Sequence, residues 1–142
     1  MKKVLLIVLA ILITATFVFS AEEANVGESK LTWAGWDTIV YGWPKLNDAG
    51  QITSVQGISI LGYTWRSYFK PMEPEKVNFY WEVGPNALVL GLNAGAGITY
   101  PLPMKDSRFD YLYLSGGLNV FWGVLTAIIP IPAPWIGVTV TF

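Results

Sequence analysis

The chain has 142 residues, 53% of them hydrophobic and 13% charged, with nine basic against ten acidic side chains. It contains neither cysteine nor histidine, which excludes a disulfide framework, the commonest zinc ligands and the usual base of a nucleophilic triad. Charge this sparse forms no basic patch, so nucleic acid is not expected as a partner, and few enzyme classes remain open.

Met1-Lys2-Lys3 is a short basic start, Val4 to Phe19 carries no charge, and Ser20-Ala21-Glu22-Glu23 restores polarity. That is the layout of a helical secretory signal peptide over residues 1–20. The apolar run is shorter than the roughly 20 residues a membrane-crossing helix needs. Val18 and Ser20 are small enough to precede a cleavage point after Ser20. An uncleaved anchor is the alternative. Residues 21–30 read as an acidic, flexible leader, and 31–142 as one domain.

From Leu31 onward the pattern is strand-like. Turn signals stand at Pro44 to Gly50, Lys70 to Pro74, Gly84-Pro85-Asn86, Pro101-Leu102-Pro103 and Pro130 to Pro134. Proline donates no ladder hydrogen bond, so these clusters are expected to end strands. Leu31 to Trp43 and Ile52 to about Tyr68 are strand-rich but slip in parity, which predicts a bulge at Gly35 or Gly57. The later segments alternate cleanly. Val77, Phe79, Trp81 and Val83 oppose Asn78, Tyr80, Glu82 and Gly84. In the segment from Leu88, an apolar parity (Leu90, Leu92, Ala94, Ala96, Ile98) opposes Gly91, Asn93, Gly95, Gly97 and Thr99. Leu112, Leu114, Leu118, Val120 and Trp122 oppose Tyr113, Ser115, Gly117, Asn119 and Phe121. The last segment sets Ile136, Val138, Val140 and Phe142 against Gly137, Thr139 and Thr141. Six strands are counted in this way, and the second is long enough to be two.

A soluble sandwich alternates too, but its water-facing parity is usually rich in Lys, Glu, Thr and Arg. Here the less apolar parity of the last three strands is Gly, Ser, Asn and Thr, with some Tyr and Phe and no charge. Small residues suit the crowded inside of a narrow barrel, with the apolar parity outward. No apolar run after the signal reaches transmembrane-helix length, and a small soluble domain needs more charge to cover its surface. The expected fold is therefore all-β: an antiparallel β-barrel of six to eight strands. Tyr41, Trp43, Tyr100, Tyr111, Phe121, Trp122, Trp135 and Phe142 lie near strand ends, as in the aromatic girdles of membrane barrels.

The closing segment Trp135-Ile136-Gly137-Val138-Thr139-Val140-Thr141-Phe142 resembles the terminal strand of bacterial outer-membrane β-barrel proteins, which ends in phenylalanine preceded by alternate apolar residues. The match lies at Ile136, Val138, Val140 and Phe142. The resemblance implies that this strand is read by the barrel-assembly machinery, with membrane lipid as the other partner and the outer membrane as the location. It also implies a departure. With Phe142 on the periplasmic side, the longer 101–110 and 70–75 connections fall there, where the family usually has short turns.

Asp37, Arg66 and Glu82 are the charged residues inside strand-like stretches, and Asn78, Asn93 and Asn119 share the inward parity of their segments. These six are the candidate interior polar residues. They would either tune a pore or form a salt-bridge plug, and a chain this short favours the plug. Asp37 with Glu82 as an acid–base pair acting on a sugar has no accompanying catalytic group. Gly91, Gly95 and Gly97 precede no helix and no Gly-Lys-Ser/Thr, so they read as barrel-wall glycines rather than a phosphate loop. Thr126 to Pro134 is a loop without charge. Packing within its own protein is its default role, with lipid headgroups or a second copy in a homo-oligomer as alternatives. No cofactor or metal is expected. The expected function is a non-enzymatic integral barrel with a structural or narrow-pore role. The alternatives are a soluble exported β-sandwich or barrel, periplasmic or secreted, that binds a ligand or partner protein, and a membrane enzyme acting on lipid without histidine.

Overall fold

A computed structural model describes residues 31–60, 62–87, 89–105, 108–127 and 129–142. The expected signal peptide and leader lie outside the described residues. Eight strands follow in chain order: β1 (Trp33–Trp36), β2 (Ile39–Leu46), β3 (Ile52–Ser59), β4 (Gly62–Tyr68), β5 (Asn78–Asn86), β6 (Gly91–Pro103), β7 (Tyr111–Gly123) and β8 (Ile131–Thr141). Each pairs antiparallel with the next, and β8 pairs with β1, so the sheet closes into a barrel with no free edge strand. The seam continues one step past β8, where Phe142 and Thr32 exchange backbone hydrogen bonds.

The two irregular sequence segments each prove to be a hairpin. Leu31 to Trp43 turns at Asp37-Thr38 to give β1 and β2, and Ile52 to Tyr68 gives β3 and β4. Asp37 thus lies in a turn and not within a strand. The bulges are elsewhere than expected. The β2–β3 register slips between Ile39 and Tyr41 and between Lys45 and Leu46, and not at Gly35 or Gly57. Asn47 makes the β2–β3 turn: its Oδ1 accepts from the backbone N–H of Ala49 (3.1 Å) and Gln51 (2.8 Å), and Gly50 takes the positive φ of 76° that follows.

Proline clusters mark strand ends less sharply than expected. β2 runs through Pro44, β5 through Pro85, β6 through Pro101 and Pro103, and β8 through Pro132 and Pro134. All lie within the first four or last three residues of their strands, near the ends where a missing N–H is best tolerated. The strand placed from Leu88 begins at Gly91, because Leu90 takes a positive φ of 47° in the preceding turn.

Alternation across these strands sorts the side chains. The polar or small parity of β5 to β8 is buried or half-buried, and the apolar parity is exposed or half-buried from Phe79 and Trp81 round to Ile136 and Val138. The barrel has two unlike ends. The terminal end gathers Thr32, Phe142 and the connections 47–51, 69–77 and 104–110; the opposite end gathers the β1–β2, β3–β4, β5–β6 and β7–β8 links. The 69–77 and 104–110 connections do lie with Phe142, but 104–110, at seven residues, is no longer than 124–130 at the opposite end. Every exposed charge among the described residues, from Lys45 and Asp48 to Lys70, Glu73, Glu75, Lys76, Lys105, Arg108 and Asp110, belongs to the terminal end.

Candidate functional site

The centre of the barrel is a buried ion cluster. Arg66 enters from β4, Glu82 from the facing position of β5, and Asp37 from the β1–β2 turn. All three side chains are fully buried. The guanidinium forks onto Asp37, donating through Nη1 to Oδ2 at 2.9 Å and through Nη2 to Oδ1 at 2.7 Å. Its Nε donates to Glu82 Oε2 at 2.9 Å. The Thr38 hydroxyl donates to Glu82 Oε2 at 2.8 Å, and Asn119 Nδ2 donates to Oε1 at 2.7 Å. Both carboxylates and the guanidinium therefore have geometrically directed partners, the condition under which a buried charge is tolerated.

Aromatic rings complete the enclosure. The Arg66 guanidinium carbon lies 4.1 Å from the ring centre of Tyr80, 5.3 Å from Trp135 and 6.0 Å from Trp33, close enough for attraction to the ring faces. Glycines on β6 make this possible. A Cβ on Gly95 would stand 1.9 Å from Asn119 Oδ1, and one on Gly97 would stand 2.5 Å from Tyr80 Oη. Side chains there would expel the groups that surround the cluster.

Toward the terminal end the interior mixes apolar and aromatic side chains with the hydroxyls of Thr99, Ser115 and Thr141. Ile52, Val55, Tyr68, Met72 and Tyr113 are buried there, with the Tyr68 and Tyr113 hydroxyls facing Thr99 (3.3 Å) and Thr141 (3.2 Å). A cavity of about 670 Å³ lies beyond them at the terminal mouth, bordered by Met72, Tyr111 and Thr141. A second cavity of about 240 Å³ lies on the opposite side of the cluster, bordered by Thr64, Asn86, Asn93 and Asn119. The two share no lining residue. The Arg66 cluster and its rings separate them.

Of the six candidate interior residues, the fold brings Asp37, Arg66, Glu82 and Asn119 into one network. Asn93 borders the smaller cavity one step from it. Asn78 does something different. Its Oδ1 accepts from the Glu73 backbone N–H (2.8 Å), and its Nδ2 donates to the carbonyls of Glu73 and Lys76 (3.0 and 2.8 Å), so it ties down the 69–77 connection. At the charged tip of that connection the Lys76 ammonium, hydrogen-bonded to Glu73, holds the Glu73 carboxyl below its ordinary range.

Sequence reasoning missed Thr38, Thr64, Tyr80 and Trp135. Tyr80 and Thr64 were within reach, because each shares the parity of an inward charge two residues away. Phe121 and Trp135 do not belong to the expected outer aromatic girdle; both stand at the smaller cavity, as the parity of their own strands requires. Tyr41, Trp43, Trp122 and Phe142 are exposed. Ile136, Val138 and Phe142 share the exposed face of the final segment, with Val140 half-buried between them.

No protein-family model, no curated protein and no solved structure matches this chain. Among the described residues, no group of three or more acidic side chains stands in an arrangement that could hold a metal ion.

Proposed function

We propose that the chain is a non-enzymatic integral β-barrel of the bacterial outer membrane whose interior is closed by the Arg66 cluster, serving the envelope structurally and not as an open pore. The observation that carries this reading is the inverted distribution of polarity. The strands bury charges, amides and hydroxyls, and turn Trp, Phe, Leu, Ile and Val outward without an intervening charge until the rim at Lys45. In water such a surface is an aggregation liability; against hydrocarbon it is the stable arrangement, since closure pairs the strand backbones with one another, save along the upper part of β8. The longest strands fit the same environment. At about 3.3 Å per residue and a tilt of about 40°, thirteen residues rise about 33 Å, enough for an apolar band of about 25 Å.

Surrounding lipid is then the main partner, and the outward residues Ile136, Val138, Val140 and Phe142 are the segment that barrel-assembly machinery would read. The alternative, a soluble exported barrel that binds a ligand, would need a polar outer wall. Vesicle flotation after alkaline extraction tests the choice. Protein that floats with phosphatidylcholine vesicles after the wash supports the membrane reading; protein left in the aqueous layer as a monodisperse species overturns it.

A further inference from the structure

The barrel wall has a step at its seam. β1 pairs with β8 only from Thr141 to Val138, whereas β7 accompanies β8 as far as Ile131. The stretch Ile131–Gly137 therefore has a backbone edge with no strand of β1 beside it. Pro132 and Pro134 stand in this stretch, where a missing N–H deprives no β1 acceptor. Around the step the surface is apolar: Trp36 is 71% exposed, Ile60 57% and Ile136 83%. No charged residue occurs in any link at this end except Asp37, which points inward.

Behind the step lies the cavity of about 240 Å³, room for about eight water-sized groups. Its sides are Trp36 and Ile60 from the low side of the wall, and Phe121, Ala133 and Trp135 from the high side. Its floor is polar. Thr64 Oγ1, Asn93 Oδ1 and Asn119 Oδ1 are buried there with no hydrogen-bond partner in the protein, and so are Ser59 Oγ and Trp135 Nε1. Unpaired buried polar groups are costly, and five beside one cavity call for a partner there; three more, Trp33 Nε1, Tyr80 Oη and Thr139 Oγ1, lie away from it. Apolar sides over a polar floor suit a molecule of the same polarity, with its head down and its tail toward the step. The head must be neutral. Two carboxylates against one guanidinium give a formal net charge of −1 at the floor, where Asp37 and Thr38 themselves border the cavity and Asn119 reaches down to Glu82.

We propose that this pocket receives the neutral, hydrogen-bonding head of a single-chain amphiphile, of the long-chain alcohol or monoacylglycerol class, whose hydrocarbon tail passes between β8 and β1 into the membrane. The proposal rests on the membrane reading above. It goes further by giving the barrel a specific lipid ligand and a lateral route to it.

The test uses full-length protein in phosphatidylcholine vesicles and hexadecanol carrying a diazirine beside its hydroxyl. Irradiation is expected to label Phe121, Ala133 or Trp135, with at least a tenfold loss of label under excess unlabelled hexadecanol or monopalmitoylglycerol. Ala133→Trp fills the pocket and is expected to reduce labelling at the remaining sites tenfold. Asn93→Leu, which removes one floor acceptor, is expected to reduce it severalfold. Hexadecanoic acid carrying the same diazirine is expected to label at least tenfold less at alkaline pH. Label confined to outward positions such as Leu114, Leu118 and Val138, insensitive to competitor, overturns the pocket while leaving the membrane reading intact. Failure of the protein to float with the vesicles overturns the membrane reading itself, and the lateral route with it. If Ala133→Trp does not fold, competition in the unmodified protein decides alone.

Discussion

The two halves of the barrel wall are built differently. β1 to β4 have four, eight, eight and seven residues, whereas β5 to β8 have nine, thirteen, thirteen and eleven. The tall half pairs without a register slip from Asn78 to Thr141, and the short half carries both bulges and the turn that delivers Asp37. Regular alternation makes a wall and little else. The short half, where regularity lapses, supplies Asp37, Thr38 and Arg66, and the tall half meets them with Glu82 and Asn119. The ion cluster therefore ties together two halves that meet only along the β4–β5 ladder, with five register pairs, and the β8–β1 ladder, with four. A buried pair adds little net stability compared with apolar packing, yet removing one member leaves a stranded charge. Its expected contribution here is to fix how the halves close.

The sharpest way to break that arrangement is Arg66→Met, which strands Asp37 and Glu82. It is expected to cost about 3–5 kcal/mol, read as a fall in the urea midpoint of vesicle-folded protein. The triple change Arg66→Met, Asp37→Asn, Glu82→Gln is expected to recover more than half of that loss; no recovery would mean that the cluster does more than neutralise itself.

Charge on the outer wall separates the halves next. Leu118→Arg, halfway along β7, is expected to cost about 2–4 kcal/mol in the membrane, and Trp43→Arg, beside the charged rim at Lys45, about 0–1 kcal/mol. Equal costs at the two positions would mean that the outer wall does not face a hydrocarbon slab.

Glycine substitutions act on a smaller scale. Gly97→Ala forces a Cβ against Tyr80 Oη and the Gly116 carbonyl, each at 2.5 Å, and is expected to cost about 1–3 kcal/mol. Gly116→Ala meets nothing closer than 3.6 Å and is expected to stay within about 0.5 kcal/mol. Thermal unfolding of the pair distinguishes a glycine that seats the plug from one that merely lines the wall.

The smallest effect belongs to the terminal rim. Because the Glu73 carboxyl is held below its ordinary range by Lys76, its contribution is present above the unfolded-state value and is lost as pH falls through the lower folded value. Both side chains are well exposed, so the expected signature is an acid-shifted carboxyl titration by NMR that returns to normal in Lys76→Met. The urea midpoint should not move.

What the sequence made legible follows the same division. The strict parity of Phe79 to Val83, Leu92 to Ile98, Leu112 to Trp122 and Ile136 to Val140 is enough to separate inside from outside in the tall half, because period two is the geometry of a strand. In the short half, Asp37-Thr38 lacks the glycine or proline that announces a turn, so β1 and β2 merged into one reading. Pro101, Pro132 and Pro134 misled in the opposite sense, since proline ends a strand only where its missing N–H has an acceptor waiting. Arg66 and Glu82 stood out as charges among apolar neighbours. Their meeting with Asp37 depends on a hairpin and a register that no local pattern encodes. The segregation of exposed charge to the terminal end becomes visible only once the strand order assigns each connection to a mouth.

The central claim is that a closed, internally plugged barrel turns its apolar face to lipid, and the most direct measurement is gel migration of detergent-extracted protein, unheated against boiled. The account predicts a distinct fast-migrating form before heating, one full-length band after it, and no protein in the detergent-free soluble fraction. A single unshifted band from protein that is fully soluble without detergent would contradict it.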